Sequence, residues 1–487
     1  MKLNTTIGIV LFAAIIVFLN LVAAQIFFRA DLTENNIYSL NDVSKEIVRT
    51  LPDKVVVKAF FSEDIAAPYN MNKTYTRDLL DEYRAFSKGK LDYEFINPDE
   101  DDETKQEAMK YRIQPVQIRA IEKDEMSFKN VFMGLVFLYQ DKQEVIPVVQ
   151  SVSDLEYQMT SIIKKLTQEQ IPQVGYVTGQ GEPDLSTECT HIQQALSGQY
   201  QLVPVNLPSD QGIPENLRTL VIVSPQREFD KSSLGQIDQF LMYGGRLAIF
   251  IDRFAVDIQT QQSNPINTGL ELLLLKYGID IPQALAMDDQ CGQIGVSRKM
   301  GFFNMQVPMK YPFFVMITNF NKDHLITADL EAAAMIFGSP VEEAGPLATV
   351  TYTPLLETTD KADIAQPPFD LNPISYENAS YMNGPYTLAY ALEGVFPSAK
   401  DVLGAGEGFM VTRPPKDESD PTKIVVVGDG DFVTDKYLRD PSNLIFFQNV
   451  IDWLTAEEGK GLISIRSREV MTRPLKDIES HGVKTLI

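Results

Sequence analysis

The chain has few of the residues that carry thiol and metal chemistry. Its 487 residues include only two cysteines, three histidines and one tryptophan. Two cysteines, Cys189 and Cys291, are too few for a disulfide framework, and three scattered histidines do not form a zinc-binding pattern. We therefore expect no metal site and no cofactor, and we expect the two cysteines to be neither catalytic nor bridged to each other.

Basic residues are also scarce, with 43 Lys and Arg against 66 Asp and Glu and a net charge of −23. This balance argues against a nucleic-acid-binding protein, because such proteins need a basic surface to neutralise phosphates. Hydrophobic residues make up 44% of the chain, enough for sizeable cores. The length predicts two or three domains.

One long uncharged run stands at the amino terminus, at residues 6–28. As a helix it would extend about 35 Å, enough to cross a bilayer. Lys2 precedes it, which favours a cytoplasmic amino end. The run therefore predicts a single-pass anchor at residues 1–30 in a bacterial inner membrane, with the body in the periplasm. The alternative is a cleaved signal peptide with its cleavage site near Val22-Ala23-Ala24.

A first α/β domain is predicted for residues 31–168. Its expected order of strands and helices resembles the thioredoxin fold, in which Pro115 would take the place of the family's cis-proline and lead directly into the third strand of the same sheet. Phe61-Ser62-Glu63-Asp64 stands where that family carries its Cys-x-x-Cys motif. The resemblance therefore implies a redox-inert scaffold, because disulfide exchange requires thiolates.

A second, larger domain is predicted for residues 171–460, followed by a tail at 461–487. Apolar strands alternate with amphipathic helices, which indicates a mostly parallel, doubly wound sheet. Residues 290–420 are expected to form strands and loops. A set of aromatic residues in this stretch is expected either in the core or on a partner-binding surface: Phe302, Phe303, Tyr311, Phe313, Phe314 and Phe320.

Several short strings, in this order, resemble the GldG family of ABC-transporter auxiliary proteins. The strings lie at residues 31–40, 178–182, 239–252, 427–432, 462–466 and 473–475. The resemblance implies a gliding-motility type of ABC transport system with a separate permease and ATPase. It also implies that the second domain is a GIFT domain, which is related to class I glutamine amidotransferase-like folds.

Acidic residues follow three of the predicted core strands and suggest a ligand site. Asp252, Asp429 and Asp431 would meet at the carboxyl edge of the sheet, where doubly wound folds bind ligands, and could hold a divalent cation. Glu182 ends the loop Gly179-Gln180-Gly181-Glu182, which is either a phosphate loop or a tight turn. The other interpretation of the aspartates is that they form turns and helix caps.

No arrangement of residues indicates catalysis. Cys189 and His191 are neighbours at the start of a predicted helix, where their side chains would point apart, and Ser224-Pro225 after a core strand lacks the glycines of a nucleophile elbow. The sequence therefore predicts a non-enzymatic binding and scaffolding subunit. The alternatives are a periplasmic solute- or glycan-binding protein and a degenerate amidotransferase-like enzyme.

Overall fold

The computed structural model describes residues 39–465, apart from 123–124, 153, 169, 210, 301–302, 329, 405–412, 439–440 and 457–460. These residues divide into two compact units, and the boundary in the chain lies between Thr167 and Gln168.

The predicted membrane helix at residues 6–28 lies outside the described residues. Within the described ranges, no helix is both long and apolar enough to cross a bilayer. The longest of them, Asn70–Phe86, has 17 residues and carries several charges, whereas a spanning helix needs about 20 mainly apolar residues. This finding overturns the predicted location as a single-pass inner-membrane protein.

The first unit contains one four-stranded sheet, one separate hairpin and helices. The strands are β1 (Val55–Phe61), β2 (Leu91–Ile96), β3 (Val116–Glu122), β4 (Glu125–Val131), β5 (Met133–Tyr139) and β6 (Lys142–Ile146). The helices are α1 (Asp42–Arg49), α2 (Asn70–Phe86), α3 (Asp102–Lys110) and α4 (Leu155–Thr167). The sheet order is β2-β1-β5-β6, with β1 and β2 parallel and the other neighbours antiparallel.

Strand β1 organises the core of this unit because both of its faces are covered. Val55 and Val57 point to the cluster that contains Tyr83 of α2 and Met159 of α4. Phe60, on the opposite face, packs in a second cluster with residues that include Ala108 of α3. Successive side chains of a strand alternate between faces, so the apolar run of β1 fits a strand buried on both sides.

Pro115 does not occupy the place expected for it. It leads into β3, which pairs only with β4 in a two-stranded sheet. The strand that joins β1 in the main sheet is β5, after this hairpin. The expectation that Pro115 directly precedes a strand of the same sheet is wrong, because an inserted hairpin separates the two.

The second unit contains an eight-stranded sheet with smaller sheets beside it. Its first four strands along the chain are β7 (Gln173–Thr178), β8 (Gln201–Asn206), β9 (Thr219–Val223) and β10 (Arg246–Phe250). The remaining strands are β11 (Phe254–Asp257), β12 (Gln262–Pro265), β13 (Ile279–Asp280), β14 (Leu285–Asp288), β15 (Cys291–Met300), β16 (Phe303–Ile317), β17 (Asn319–Phe320), β18 (Ala333–Ile336), β19 (Glu342–Glu343), β20 (Val350–Glu357), β21 (Ala362–Ala365), β22 (Thr387–Gly394) and β23 (Thr422–Val427).

The helices of this unit cover both faces of the large sheet. They are α5 (Thr190–Leu196), α6 (Lys231–Met242), α7 (Leu270–Lys276), α8 (Lys400–Leu403) and α9 (Pro441–Thr455), with 3-10 turns at Pro373–Tyr376 and Asp431–Val433. One core cluster contains residues of α5 and α9, and the cluster on the other face contains residues of α6 and α7. The predicted α/β class is confirmed.

The strand order of the large sheet is β17-β20-β22-β23-β10-β9-β7-β8. The five strands from β23 to β8 are parallel to one another, and β22, β20 and β17 continue the sheet from β23 to the other edge in antiparallel pairs. Four of the parallel strands are mainly apolar because helices bury both of their faces, whereas the edge strand β8 is mostly exposed or half-buried.

The aromatic stretch is largely core. Tyr311 and Phe313 are fully buried in a cluster beside the large sheet, Phe320 is buried in the core of the sheet itself, and Phe314 is half-buried. The side chains of Phe302 and Phe303 lie outside the described part of the chain. The described aromatic residues therefore lie mainly in the core, which is the first of the two expectations.

Candidate functional site

The site of interest lies at the carboxyl edge of the parallel strands. The chain starts this sheet at β7, adds β8 on one side and then continues with β9 on the other side. The connections after β7 and β9 therefore leave in opposite directions, which opens a crevice where doubly wound folds bind ligands.

A cleft of about 440 Å³ opens at this edge. Its lining combines carboxylates, one lysine, hydroxyl and amide groups and a short apolar wall. The lining residues are Gly181, Pro183, Thr187, Glu188, Ser224, Gln226, Asp252, Phe254, Ala255, Val256, Ile266, Asp431, Thr434, Asp435, Lys436 and Tyr437.

The loop after β7 is a tight turn fixed by its own contacts. Gly179 and Gly181 have φ of 117° and 86°, values that favour glycine. The Gln180 N–H donates to Glu182 Oε2 at 2.7 Å, and the Gln180 carbonyl accepts from the N–H groups of Gln226 and Arg227 at 2.9 Å. In a phosphate loop, backbone N–H groups of this kind bind the anion. Here the Glu182 carboxylate already accepts the Gln180 N–H. Glu182 is not among the cleft-lining residues, and burial raises its pKa.

Ser224 follows β9 in a backbone conformation that is uncommon for serine, with φ of 43°. Its hydroxyl donates to Asp252 Oδ2 at 2.5 Å and accepts from Gln226 Nε2 at 2.9 Å. Asp252 Oδ1 accepts the N–H of Gly430 at 2.8 Å. Asp252 therefore joins the ends of three neighbouring strands, β9, β10 and β23. Burial raises the pKa of Asp252, although these hydrogen bonds oppose that effect.

Asp429 lies close to this group but faces away from the cleft lining. It is only 1% exposed. Its Oδ2 accepts the N–H of Ile336 at 2.5 Å, and its Oδ1 accepts the N–H of Phe432 at 3.1 Å. Burial, together with the charges of Asp252 and Asp431, raises the pKa of Asp429 well above its usual range. Both of its oxygens bind backbone, so Asp429 holds β18 and the following turn in place.

Asp431 is the aspartate with a free carboxyl group in the cleft. It is half-buried, and within the described residues its carboxyl makes no hydrogen bond and no ion pair. Burial raises the pKa of Asp431 to about 7; the charge of Asp252 adds to this, and Lys436 opposes it. At neutral pH this group exchanges readily between its acid and carboxylate forms.

Asp435 and Lys436 also line the cleft. Asp435 caps α5: its Oδ2 accepts the N–H of Thr190 at 2.9 Å, and its Oδ1 lies 2.7 Å from His191 Nδ1. Burial raises the pKa of Asp435, but the hydrogen bonds from Thr190 and His191 outweigh it and hold the pKa below its usual range. The Lys436 ammonium lies 4.4 Å from the centroid of the Tyr437 ring.

The thiol and metal expectations can now be placed in the fold. Cys189 and Cys291 are both free. Burial raises the pKa of Cys189 to about 12, while His191 is occupied by Asp435. In the part of the chain that is described, no three His, Cys, Asp or Glu side chains converge as metal ligands would. Asp252 and Asp429, two of the three aspartates suggested for a cation, are turned to hydroxyl and backbone donors, so a cation would have to displace these hydrogen bonds.

The structure brings Asp252 and Asp431 into one cleft but leaves Asp429 and Glu182 outside its lining. Sequence reasoning missed Ser224, Asp435 and Lys436 as site residues. Ser224 lies directly after an apolar strand, and this position was its only sequence signal. Asp435 and Lys436 follow the last parallel strand by eight or nine residues, and nothing in their spacing points to the loop they meet.

Comparisons with known proteins give a family for most of the second unit. The model of a family described as an ABC-type uncharacterized transport system matches residues 171–456. A domain-of-unknown-function family, DUF7088, matches residues 34–138. An uncharacterized protein of Borreliella burgdorferi is 23% identical over 465 residues, covering 92% of this chain and 86% of that protein.

Two solved structures match this chain at low similarity. The N-terminal domain of mmIFT52 has a TM-score of 0.36 and 15% identity, covering 59% of this chain and 98% of that chain. A putative thua-like protein from Parabacteroides merdae has a TM-score of 0.30 and 10% identity, covering 60% and 92%.

Proposed function

We propose that this chain, which belongs to the ABC-type uncharacterized transport system family and has an accessory role in such a system, is its non-enzymatic binding and scaffolding subunit. A separate permease and a separate ATPase are the proposed partners. The gliding-motility type and the GIFT assignment of the second unit follow from the resemblance of the sequence to GldG and belong to the same proposal.

The observation that carries the binding part of this proposal is the cleft at the switch point of the parallel sheet. Its volume of about 440 Å³ falls in the range of small-molecule sites, roughly 300–1,000 Å³. Asp252 holds the strand ends that shape the cleft, and Asp431 offers a carboxyl group that no other group of the described chain binds. In this proposal Asp252 and Asp431 belong to the ligand site, while Asp429 and Glu182 support the loops around it.

For the first unit we propose a redox-inert, thioredoxin-like scaffold. The sheet order β2-β1-β5-β6, with a parallel first pair and an antiparallel third strand, supports this assignment. Ser62, next to the end of β1, accepts and donates in hydrogen bonds to the backbone at Phe132. A residue that ties two strands together suits a scaffold rather than an exchange reaction.

Affinity purification of the tagged full-length chain from its host after mild chemical crosslinking tests the accessory role. We expect an ABC permease and its ATPase to be enriched together, compared with cells that carry an unrelated protein with the same tag. Recovery of neither partner, at normal expression of the chain, would contradict a scaffolding role.

One observation favours a second candidate, a hydrolase derived from an amidotransferase-like fold. Ser224 combines a positive φ, a position at the end of a core strand and a hydroxyl hydrogen-bonded to Asp252. Against it, Ser224 is only 2% exposed, and its hydroxyl also accepts a hydrogen bond from Gln226. We expect a fluorophosphonate probe to leave Ser224 unlabelled. Labelling that disappears in Ser224→Ala would favour the hydrolase.

A further inference from the structure

The charged groups that line the cleft differ in whether other groups of the protein already bind them. Asp252 is bound to Ser224 and Gly430, and Asp435 caps α5. Glu188, which is exposed, accepts the N–H of Asp184 at 2.9 Å. These three carboxylates maintain the walls of the cleft, so a ligand would have to displace existing hydrogen bonds to reach them.

Two groups of opposite charge remain available. Among the described residues, the Asp431 carboxyl has no hydrogen-bond or ion-pair partner, and no carboxylate lies within ion-pair distance of Lys436. Among the described residues, Lys436 contacts the ring and hydroxyl of its neighbour Tyr437, and its charge also interacts with that of Asp257. The Asp431 and Lys436 side chains are close enough for their charges to interact, but they do not form an ion pair.

The rest of the lining suits a small amphipathic molecule between these two groups. Phe254, Val256 and Ile266 form an apolar wall, and the hydroxyl and amide groups of Thr187, Thr434 and Gln226 lie around it. A ligand with a charge of one sign only would meet one favourable and one unfavourable side chain. A ligand with an ammonium and a carboxylate group satisfies both.

We propose that this cleft binds a small zwitterion, of the size of an amino acid or a short peptide, with its ammonium group on Asp431 and its carboxylate on Lys436. This inference rests on the proposed function of the cleft as the ligand site of the accessory subunit. An ammonium group on Asp431 favours the carboxylate form, so binding at neutral pH releases a proton from Asp431 to the buffer.

Calorimetric titration of the full chain with matched probes tests the proposal. A casein hydrolysate of free amino acids and short peptides establishes binding. L-leucine is then compared with 3-methylbutylamine, which lacks the carboxylate, and with 4-methylpentanoate, which lacks the ammonium group. We expect the zwitterion to bind at least tenfold more tightly than either single-charge probe. Its binding enthalpy at pH 7 should depend on the ionisation enthalpy of the buffer.

Substitutions of Asp431 and Lys436 test which side chain binds each charged group of the ligand. Asp431→Asn should weaken zwitterion binding at least tenfold and abolish the buffer dependence, and Lys436→Ala should weaken it to a similar extent, with partial recovery in Lys436→Arg. Lys310→Ala, which removes an exposed lysine paired with Asp289, serves as the matched control and should bind as the unmodified chain does.

Two results would overturn this inference. Equal affinity for one of the single-charge probes would make the cleft a site for a simple cation or anion. No binding of the hydrolysate, with the permease and ATPase still recovered by crosslinking, would remove the ligand class and leave the accessory role standing. Loss of both partners would instead count against the proposed function itself.

Discussion

Asp252 accepts the hydroxyl of Ser224 on one carboxylate oxygen, at 2.5 Å, while its other oxygen accepts the N–H of Gly430 at 2.8 Å. One buried side chain at the end of β10 thereby binds the strands on both sides. The floor of the cleft is built from this arrangement. These hydrogen bonds satisfy both oxygens of a carboxylate that is only 5% exposed.

Replacing Asp252 should destabilise the second unit. In Asp252→Ala the hydroxyl of Ser224 and the N–H of Gly430 lose their buried acceptor, and we expect a loss of about 2–4 kcal/mol in the free energy of unfolding. Urea unfolding followed by Trp453 fluorescence measures it. The exposed Asp360 gives a control, since Asp360→Ala should change this free energy by less than about 0.5 kcal/mol. Equal stability of the two variants would refute the role given to Asp252.

Gly430 is required by close approach rather than by its backbone angles. A Cβ at this position would lie 2.8 Å from the backbone N and Cα of Ser224. Gly430→Ala must therefore move one of the two loops, at a cost of about 1–3 kcal/mol. Gly292→Ala is the control, because its Cβ would make ordinary contact with Phe314 at 3.4 Å. Thermal unfolding compares them, and an unchanged midpoint for Gly430→Ala would show that the loops are not packed as described.

Asp431 should make the chain less stable at high pH. Its folded pKa of about 7 lies above the unfolded value near 4, so the folded state binds the proton more tightly. This contribution is fully present below about pH 4 and is lost as the pH rises to 7. Asp431→Asn should therefore be more stable than the unmodified chain by about 2 kcal/mol at pH 8. The difference should shrink towards pH 4.5 in urea unfolding; a difference independent of pH would contradict the assignment.

His324 should act in the opposite direction at acid pH. Burial lowers its pKa to about 4; Glu393 opposes this effect and Lys423 adds to it. The neutral ring lies 5.1 Å from Trp453, centroid to centroid, and its Nδ1 accepts the N–H of Ile326 at 3.3 Å. The stability it contributes is present above about pH 6.5 and is lost as the pH falls towards 4.

His324→Asn keeps an acceptor but does not titrate in this range. We expect the unmodified chain to lose about 2–3 kcal/mol more than this variant between pH 6.5 and 4. Thermal unfolding across this range compares the two proteins. Parallel profiles for the unmodified chain and His324→Asn would remove His324 as the cause.

Much of the fold could be predicted from local sequence patterns. Strands β9 and β10 are apolar after their first residue, and helices α2 and α9 carry apolar residues at helical spacing. Strand and helix periodicities are set by backbone geometry within a few residues, so they can be recognised from the sequence alone. The alternation of strands and helices also determined the α/β class.

The place of Pro115 could not be read in the same way. Its neighbourhood has the expected strand pattern, but β3 pairs with β4 rather than with β1. Which strand pairs with which depends on contacts between distant segments. A hairpin of two adjacent strands satisfies the same local pattern as two strands of a central sheet.

The candidate site shows the same division between local and distant information. The sequence by itself determined that Asp252, Asp429 and Asp431 follow core strands and so meet at one edge of the sheet. Only the tertiary structure decided their different chemistry: Asp429 binds the backbone of Ile336, Asp252 binds Ser224, and Asp431 remains free in the cleft. The protonation and availability of a carboxyl group depend on burial and on donors from distant segments, and residue order within one strand and its loop does not specify these.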